Sequence, residues 1–359
     1  MPVIWCAISA HGFGHAAQVV PILNQLGRRL PGTKVILRTG VSPRFFQARL
    51  EIPWELSPSM QDVGCLQDGP LNIDIQNTWK AYETFHQDWA SKVVREAQTI
   101  RSHSPDLIIS NISHLAIEAG AYSGIPTMAI ASLSWDKILE GLQGNSVGNH
   151  METVEHIRRS YCKAEMCIRI CPSLEMDAFS KIKNVGPIAL PLGDEKVLKS
   201  DVAEQEDRVW VLVGFGGIPL KDFPFSEMEK MKKFRFLVDG KVPTGFHDIW
   251  PLSKFPLSFK QLLSASDIIV TKPGYGTVIE SVNNGKPIVY VRRYNFADEP
   301  VLIEYLHKFG RGEELTREDF FSGNWAKVLE SVWASSLPNE SPPPSGVDKA
   351  VEILMDYLS

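Results

Sequence analysis

The residues from 268 to 280 read Ile268-Ile269-Val270-Thr271-Lys272-Pro273-Gly274-Tyr275-Gly276-Thr277-Val278-Ile279-Glu280. An apolar run, a glycine-bearing turn and then apolar residues at helical spacing predict a strand, a tight turn and a helix. Glycine lets the backbone approach a ligand, and the free N–H groups at a helix start favour an anion, so this turn suits a diphosphate. Glu280, one helical turn further on, would repel phosphate but could accept two hydroxyl hydrogen bonds from a ribose. The alternative is a tight turn followed by a solvated Glu280.

The same alternation of strand and helix surrounds this stretch. We predict strands at 208–213, 234–238, 267–271 and 287–291, and helices at 259–266, 276–284 and 299–309. A second glycine turn, Gly214-Phe215-Gly216-Gly217, follows the first of these strands. Alternating strands and helices indicate a parallel sheet covered on both faces.

An equivalent pattern occupies the first half of the chain. We predict strands at 2–9, 34–38, 106–110, 126–131 and 166–170, and helices at 16–30, 79–103 and 114–124. A polar stretch at 193–207, without apolar periodicity, separates the two patterns and is typical of a linker. The predicted fold class is α/β, with one Rossmann-like domain at 1–190, a second at 191–340, and a central cleft where a ligand binds at the carboxyl ends of the strands.

The first turn, His11-Gly12-Phe13-Gly14-His15, contains the clearest candidates for catalysis. With Ala16 and Ala17 it fits the dinucleotide pattern G-x-G-x-x-G/A, but that pattern also asks for an acidic residue after the second strand, where Leu37-Arg38-Thr39 stand. NAD is therefore not favoured, and NADP held by Arg38 remains an alternative. His15, and after it His11, could act as a general base near neutral pH. Both could instead cap the helix or bond to backbone carbonyls.

Composition narrows the classes of function. The chain has 359 residues, a formal net charge of -5 and a pI near 6.0, so bulk binding of nucleic acid is not expected. The first residues lack a basic signal region and no apolar run is long enough to span a bilayer, so we expect a cytoplasmic protein. The five cysteines contain no C-x-x-C pair, which argues against a disulfide framework and a zinc ribbon.

Several motifs resemble a known superfamily. Residues 264–280, with 284–291 and Asp298-Glu299, resemble the donor half of GT-B glycosyltransferases, including the group of the peptidoglycan N-acetylglucosaminyltransferase. The likeness is closer still to the glycosyltransferase-like N-terminal region of plant arabinokinases. It rests on His11-Gly12-Phe13-Gly14-His15, Ser134-Trp135-Asp136, Gly274-Tyr275-Gly276-Thr277-Val278 and Val291-Arg292-Arg293, and covers nearly the whole chain.

The resemblance implies a nucleotide-diphosphate sugar, in the first instance a UDP-sugar, bound mainly by the second domain. Glu280 would hold the ribose, the backbone at Gly276 and Thr277 the diphosphate, and Asp298 and Glu299 the sugar hydroxyls, while His15 would be the base. A helix at 345–359 would pack back on the first domain. The expected donor-binding residues are Gly14, Gly216, Gly217, Lys272, Gly274, Tyr275, Gly276, Thr277, Glu280, Arg292, Asp298 and Glu299.

The sequence contains no obvious Asp-x-Asp pair for Mg²⁺, so we expect no metal and no cofactor beyond the nucleotide sugar. Helix ends and cations such as Lys272, Arg292 or Arg293 would stabilise the leaving group. On the acceptor side we place His11, Trp135 and Asp136: the indole could stack on a sugar, and Asp136 is a second candidate for the base. The Arg44-Phe45-Phe46 segment could touch an acceptor or a membrane surface, although burial of its aromatic side chains is the simpler interpretation.

The leading hypothesis is therefore an inverting, metal-independent glycosyltransferase whose acceptor is an unidentified small molecule, lipid or glycan. A non-catalytic nucleotide-sugar sensor and a UDP-sugar 2-epimerase on the same fold are the alternatives.

Overall fold

The computed structural model describes residues 1–142, 150–189, 207–217, 220 and 222–358. We call the part up to residue 189 the N-terminal half and the part from 207 the C-terminal half. The strands of the N-terminal half are β1 (Val3–Ile8), β2 (Lys34–Thr39), β3 (Trp54–Pro58), β4 (Leu107–Asn111), β5 (Thr127–Ala131), β6 (Met166–Ile170) and β7 (Ile182–Val185). They form one parallel sheet in the order β3-β2-β1-β4-β5-β6-β7.

Helices cover both faces of this sheet. They are α1 (Gly14–Arg29), α2 (Pro43–Gln47), α3 (Ile75–His86), α4 (Trp89–Ser102), α5 (His114–Ser123), α6 (Trp135–Leu142) and α7 (Met151–Tyr161). The single helix predicted at 79–103 is wrong, because the chain breaks between α3 and α4. Asp88 there adopts a φ of 49°, a left-handed conformation that Asp tolerates better than most residues and that a helix cannot include.

The C-terminal half repeats the architecture with six strands. These are β8 (Val209–Val213), β9 (Phe234–Val238), β10 (Ile249–Pro251), β11 (Ile268–Thr271), β12 (Ile288–Tyr290) and β13 (Gly312–Glu314), paired in parallel in the order β10-β9-β8-β11-β12-β13. Its helices are α8 (Phe225–Lys230), α9 (Phe259–Ala265), α10 (Tyr275–Asn283), α11 (Glu299–Phe309), α12 (Arg317–Ser322) and α13 (Ala326–Ala334). The predicted class, two Rossmann-like α/β units, is confirmed.

The last described helix, α14 (Val347–Met355), lies against the N-terminal half. Gln25 of α1 donates to Asp348 at 2.6 Å, and Arg29 lies 3.6 Å from Glu352. Its apolar side is buried, with Val351 and Leu354 fully inaccessible to solvent. This helix therefore follows the C-terminal half in sequence but shares its core with α1.

The strands that sequence patterns miss are the edge strands of the two sheets. β3, β7, β10 and β13 have three to five residues and no continuous apolar run, because only one side of an edge strand is paired and much of it faces solvent. The predicted linker at 193–207 and the domain boundary at 190 lie outside the described residues, Asp207 excepted. Among the helices that are described, none combines the length and apolarity needed to cross a bilayer.

Candidate functional site

Three glycine-containing turns meet where the two sheets end. The turn before α1 follows β1, Gly214 to Gly217 follow β8, and the turn before α10 follows β11. A Cβ atom built on Gly217 would lie 3.5 Å from the Phe13 ring, and one built on Gly216 would lie 3.9 Å from Lys272 Cε. Gly216 and Gly217 both have positive φ, 73° and 78°. The N-terminal turn therefore faces the donor-side turns across the cleft, as the sequence predicts for this fold.

His15 lies at the start of α1 and is held by a chain of amides. Its Nδ1 is 2.6 Å from Oδ1 of Asn111, the last residue of β4. Asn111 Nδ2 donates to Gln18 Oε1 at 3.2 Å, and Gln18 Nε2 donates to Ser132 Oγ at 2.8 Å. Because an amide oxygen only accepts, Nδ1 carries the proton and Nε2 keeps its lone pair.

The environment keeps this imidazole neutral. His15 is 7% exposed. Burial lowers its pKa to about 4, against the opposing effect of the Asn111 hydrogen bond. A neutral ring with a free Nε2 is the form that a general base requires. The sequence did not identify Asn111, because its side chain meets His15 only through the pairing of β1 with β4.

His11 is fixed differently. Its Nδ1 accepts a hydrogen bond from the backbone N–H of Cys65 at 3.3 Å, so Nε2 carries the proton of the neutral ring. The ring packs edge-on against Trp135 at 5.2 Å and lies parallel to Phe296 of the C-terminal half at 6.3 Å. His11 therefore contacts both halves, whereas we expected it on the acceptor side alone.

Trp135 and Asp136 are both fully buried. The Trp135 indole donates to Asp62 at 2.8 Å, and Asp62 also accepts from Ser9 at 2.9 Å. Burial raises the pKa of Asp62 to about 6, against the two hydrogen bonds. Trp135 packs against both histidine rings, since it also lies 5.6 Å from His15. We expected the indole to stack on a sugar, but in this structure its ring is covered.

Asp136 lies 3.1 Å from Arg158 of α7, with which it forms an ion pair. Burial raises the pKa of Asp136, and Arg158 opposes the rise. Its Oδ1 has no hydrogen-bond partner among the described residues, and the catalytic role expected for Asp136 stays a prediction.

On the donor side, α10 begins with open space around its glycines. Gly274 is the N-cap residue and no side chain caps the helix. A Cβ atom on Gly276 would have no neighbour within 4 Å. Thr277 lies in the same first turn and is partly exposed. We expected Tyr275 to bind the donor, but its side chain bridges the two halves. Its hydroxyl accepts a hydrogen bond from the Ile188 N–H at 3.1 Å and donates one to Cys171 O at 3.2 Å.

Three charged residues beside this helix start are Lys272, Arg293 and Asp298. Burial lowers the pKa of Lys272 to about 7, helped by the nearby charge of Arg293. Burial raises the pKa of Asp298 to about 7, against the charge of Arg293. Oδ1 of Asp298 is 3.8 Å from Arg293 and has no hydrogen-bond partner among the described residues. This carboxylate can therefore receive a ligand hydroxyl.

Glu299 does not have that freedom. It is fully buried, and it accepts from the Arg293 side chain at 2.7 Å and from the Arg293 backbone N–H at 3.0 Å and 3.2 Å. The structure therefore makes Glu299 the support of Arg293, not the sugar contact that the resemblance implies. Arg292 is partly exposed and stacks over the Tyr294 ring at 4.8 Å.

Glu280 has a partner that the sequence did not predict. Lys260 of α9 lies 2.6 Å from its carboxylate. Burial raises the pKa of Glu280, while Lys260 and, from the N-terminal half, Arg49 oppose the rise. Glu280 is 6% exposed, so a ribose would have to share or displace Lys260.

The remaining residues and sites considered from the sequence have the following surroundings. Arg38, considered for NADP, makes a paired contact with Glu96 at 2.9 Å and 2.6 Å. Within the described ranges, no three His, Cys, Asp or Glu side chains are grouped so as to hold a metal ion. Phe45 stacks on the half-exposed Phe13 at 5.3 Å, which places part of the Arg44-Phe45-Phe46 segment at the mouth of the cleft.

Comparison with known proteins agrees with this architecture. No protein-family profile matches the chain. L-arabinokinase of Arabidopsis thaliana is 28% identical over 331 residues, which are 90% of this chain and 31% of the arabinokinase. The chain thus spans about a third of the length of the curated relative it matches.

Solved structures extend the likeness over the whole chain. The glycotransferase of kitacinnamycin has a TM-score of 0.68 at 14% identity, covering 100% of both chains. Arabidopsis thaliana UGT89C1 complexed with UDP has a TM-score of 0.61 at 15% identity, again over 100% of both. Acinetobacter baumannii MurG has a TM-score of 0.60 at 13% identity over 99% of this chain and 100% of its own. The chain has the GT-B fold, and the expected resemblance is confirmed.

Proposed function

We propose that this protein transfers a sugar from a nucleotide-diphosphate sugar, in the first instance a UDP-sugar, to a hydroxyl group of an acceptor. The observation that carries the proposal is His15: a neutral imidazole at the cleft, with Nδ1 bonded to Asn111 at 2.6 Å and Nε2 left as a base. The GT-B fold and the UDP-bound neighbour support the choice of donor.

The proposed chemistry is one displacement at the anomeric carbon. Nε2 of His15 removes the proton of the acceptor hydroxyl while the acceptor oxygen forms a bond to C1. The bond from C1 to the phosphate oxygen breaks, and the nucleoside diphosphate leaves with that electron pair. Attack opposite the leaving group inverts the configuration at C1, and no covalent sugar–enzyme intermediate is required.

The leaving diphosphate gains one negative charge as the bond to C1 breaks, and that charge must be stabilised. The uncapped start of α10 offers backbone N–H groups, and Lys272 and Arg293 supply positive charge beside it. We assign these groups the role that Mg²⁺ has in other transferases, and therefore propose a metal-independent reaction. Asp298, whose Oδ1 has no partner among the residues that the structure describes, would accept a hydrogen bond from a sugar hydroxyl, and Glu280 would accept those of the ribose.

The test begins with donor binding. A thermal-shift panel of nucleoside diphosphates and nucleotide sugars, followed by calorimetry, identifies the donor, and mass spectrometry of acceptor mixtures identifies the product. Transfer in the presence of a chelator supports the proposal in full. If the protein binds a nucleotide sugar but neither transfers the sugar nor slowly hydrolyses the donor, it is a sensor. Exchange of solvent deuterium into the sugar at C2 would indicate an epimerase. A protein that binds no nucleotide sugar would overturn the proposal.

A further inference from the structure

The orientation of His11 is determined by four neighbours. Its Nδ1 receives the Cys65 N–H at 3.3 Å. Gly64 packs closely against the same ring, since a Cβ atom added to Gly64 would lie 2.6 Å from His11 Nδ1. Trp135 and Phe296 bound the ring at 5.2 Å and 6.3 Å. A ring held in this way presents Nε2–H in one direction only.

Two of the charged groups that act on His11, Lys272 and Arg293, come from the opposite half. Burial lowers its pKa to about 3, with further contributions from His15, Lys272 and Arg293. The imidazole is therefore neutral throughout the physiological range, and Nε2 remains a hydrogen-bond donor. His11 is partly exposed, and no hydrogen bond joins its Nε2 to any of the described residues, so the N–H is available to a ligand.

The two cations that act on His11 differ in their own partners. Lys272 makes no ion pair shorter than 4 Å with any described residue, and Arg293, although bonded to Glu299, lies only 3.8 Å from Phe296, the ring that stacks on His11. Glu299 and Asp298 offset part of the charge of Arg293, and Lys272 and the His11 Nε2–H remain as groups that could receive an anion with several oxygens.

We propose that His11, although it belongs to the acceptor-side half, donates its Nε2–H to the diphosphate of the nucleotide sugar. It would thereby complete an anion site with Lys272, Arg293 and the start of α10. The inference rests on the proposed function and assigns His11 to the donor, where its position after β1 had suggested the acceptor. Binding of the diphosphate would then hold the two halves together, since its ligands come from both.

Two isosteric variants separate the two ring nitrogens. In His11→Asn the amide oxygen can still accept the Cys65 N–H, but nothing replaces Nε2–H. In His11→Gln the amide nitrogen reaches the place of Nε2 and can still donate. UDP and uridine are the probes, because they differ in the diphosphate alone, and calorimetry measures their affinity without requiring turnover.

We expect His11→Asn to weaken UDP binding about 10- to 100-fold, the effect of losing one hydrogen bond to a charged group, and to leave uridine binding unchanged. His11→Gln should restore UDP affinity to within about threefold. Equal UDP affinity in wild type and His11→Asn would overturn the inference, and so would an equal loss for UDP and uridine or a failure of His11→Gln to rescue.

A measurement on the wild-type protein covers the case in which a variant does not fold. With ¹⁵N-labelled histidine, the His11 Nε2–H resonance should appear or shift when UDP is added and remain as it was with uridine. An unchanged resonance at saturating UDP would contradict the proposal. If wild type binds neither UDP nor a UDP-sugar, the proposed function itself fails. If UDP binds but neither the His11 resonance nor the affinity of His11→Asn changes, only the inference about His11 fails.

Discussion

At the scale of single residues, the base of the proposed reaction is the first assignment to test. His15→Ala removes the imidazole whose Nδ1 is bonded to Asn111 and whose Nε2 is left as a proton acceptor. We expect a loss of about 10²–10⁴ in single-turnover rate, the usual contribution of a general base, with nearly constant donor affinity. Rapid-quench kinetics and calorimetry would measure the two. His103→Ala, a histidine outside the cleft, is the control; full activity in His15→Ala would contradict the mechanism.

Asn111 gives a second test through pH. An amide cannot stabilise an imidazolium as a carboxylate does, and burial holds the pKa of His15 at about 4. Asn111→Asp should therefore raise this pKa and move the acid limb of kcat/KM to higher pH. Asn111→Leu, which removes the acceptor, should lower the rate at every pH because the ring is no longer oriented. An acid limb at the same pH in wild type and Asn111→Asp would show that another residue titrates.

Glu280 tests the donor assignment. Losing its two hydroxyl contacts should weaken UDP and UDP-sugar alike, by about 10- to 100-fold for each hydrogen bond lost. Lys260, 2.6 Å away, would lose its partner in Glu280→Ala, so unfolding has to be followed by urea titration alongside calorimetry. Glu340→Ala on the surface is the matched control. If Glu280→Ala binds UDP as wild type does, Glu280 is not in the site.

At the scale of secondary structure elements, α3, α4, α5 and α7 meet through a histidine cluster. His86 Nε2 lies 2.9 Å from His114 Nε2, and the His86 ring stacks on His156 at 4.4 Å and meets Trp89 edge-on at 5.2 Å. Burial lowers the pKa of all three, to about 3 for His86, and the positive charge of Lys92 adds to this for His86 and His114. Glu118 opposes the shift at His86 and His156. The cluster is neutral in the folded protein at pH 7.

These shifts make a prediction for stability. Below the ordinary histidine pKa, near 6.5, these histidines bind protons in the unfolded chain but stay neutral in the folded protein. The free energy of unfolding therefore falls as pH decreases from about 6.5 toward 3. Each fully shifted histidine contributes a slope of up to about 1.4 kcal/mol per pH unit. Urea titrations at pH 7, 6 and 5 should show this slope, and His156→Phe, which retains the stacking, should reduce it. An unchanged slope in His156→Phe with a reduced slope in the exposed His247→Gln would refute the assignment.

At the scale of the whole molecule, the two halves are joined by specific contacts on both sides of the cleft. Tyr275 bonds to Ile188 and Cys171, and Arg317 of α12 donates to the backbone of Leu71 and to Asn72. Phe296 packs among N-terminal-half residues. These contacts hold the glycine turns face to face, which is what a reaction between groups bound in different halves requires.

The position of α14 predicts which half depends on it. Removing residues 347–359 would expose the apolar side of α1 that Val351 and Leu354 cover. Amides of the N-terminal half should then exchange faster with solvent deuterium, with little change in the C-terminal half. Hydrogen exchange with mass spectrometry gives the answer, and Glu352→Ala, which removes only the surface ion pair, is the control. Faster exchange restricted to the C-terminal half would contradict this account.

The sequence by itself was sufficient for the order of elements and the position of the turns. Central strands such as β1, β4, β8 and β11 are continuous apolar runs because both their faces are covered, and glycines mark the turns at their carboxyl ends. These are local signals, so the two Rossmann-like units, the cleft and the candidates His15 and Lys272 followed from them. The resemblance then supplied the GT-B fold.

Only the tertiary structure decided which side chains meet. Asn111 is 96 residues from His15, and Phe296 comes from the other half to stack on His11. The same is true of Lys260 at Glu280, Glu299 at Arg293 and Asp62 at Trp135, which changed the roles expected for those residues. Composition and periodicity indicate which faces of a segment are buried. Hydrogen bonds and pKa shifts depend instead on the distances between side chains that strand pairing and the packing of the two halves bring together.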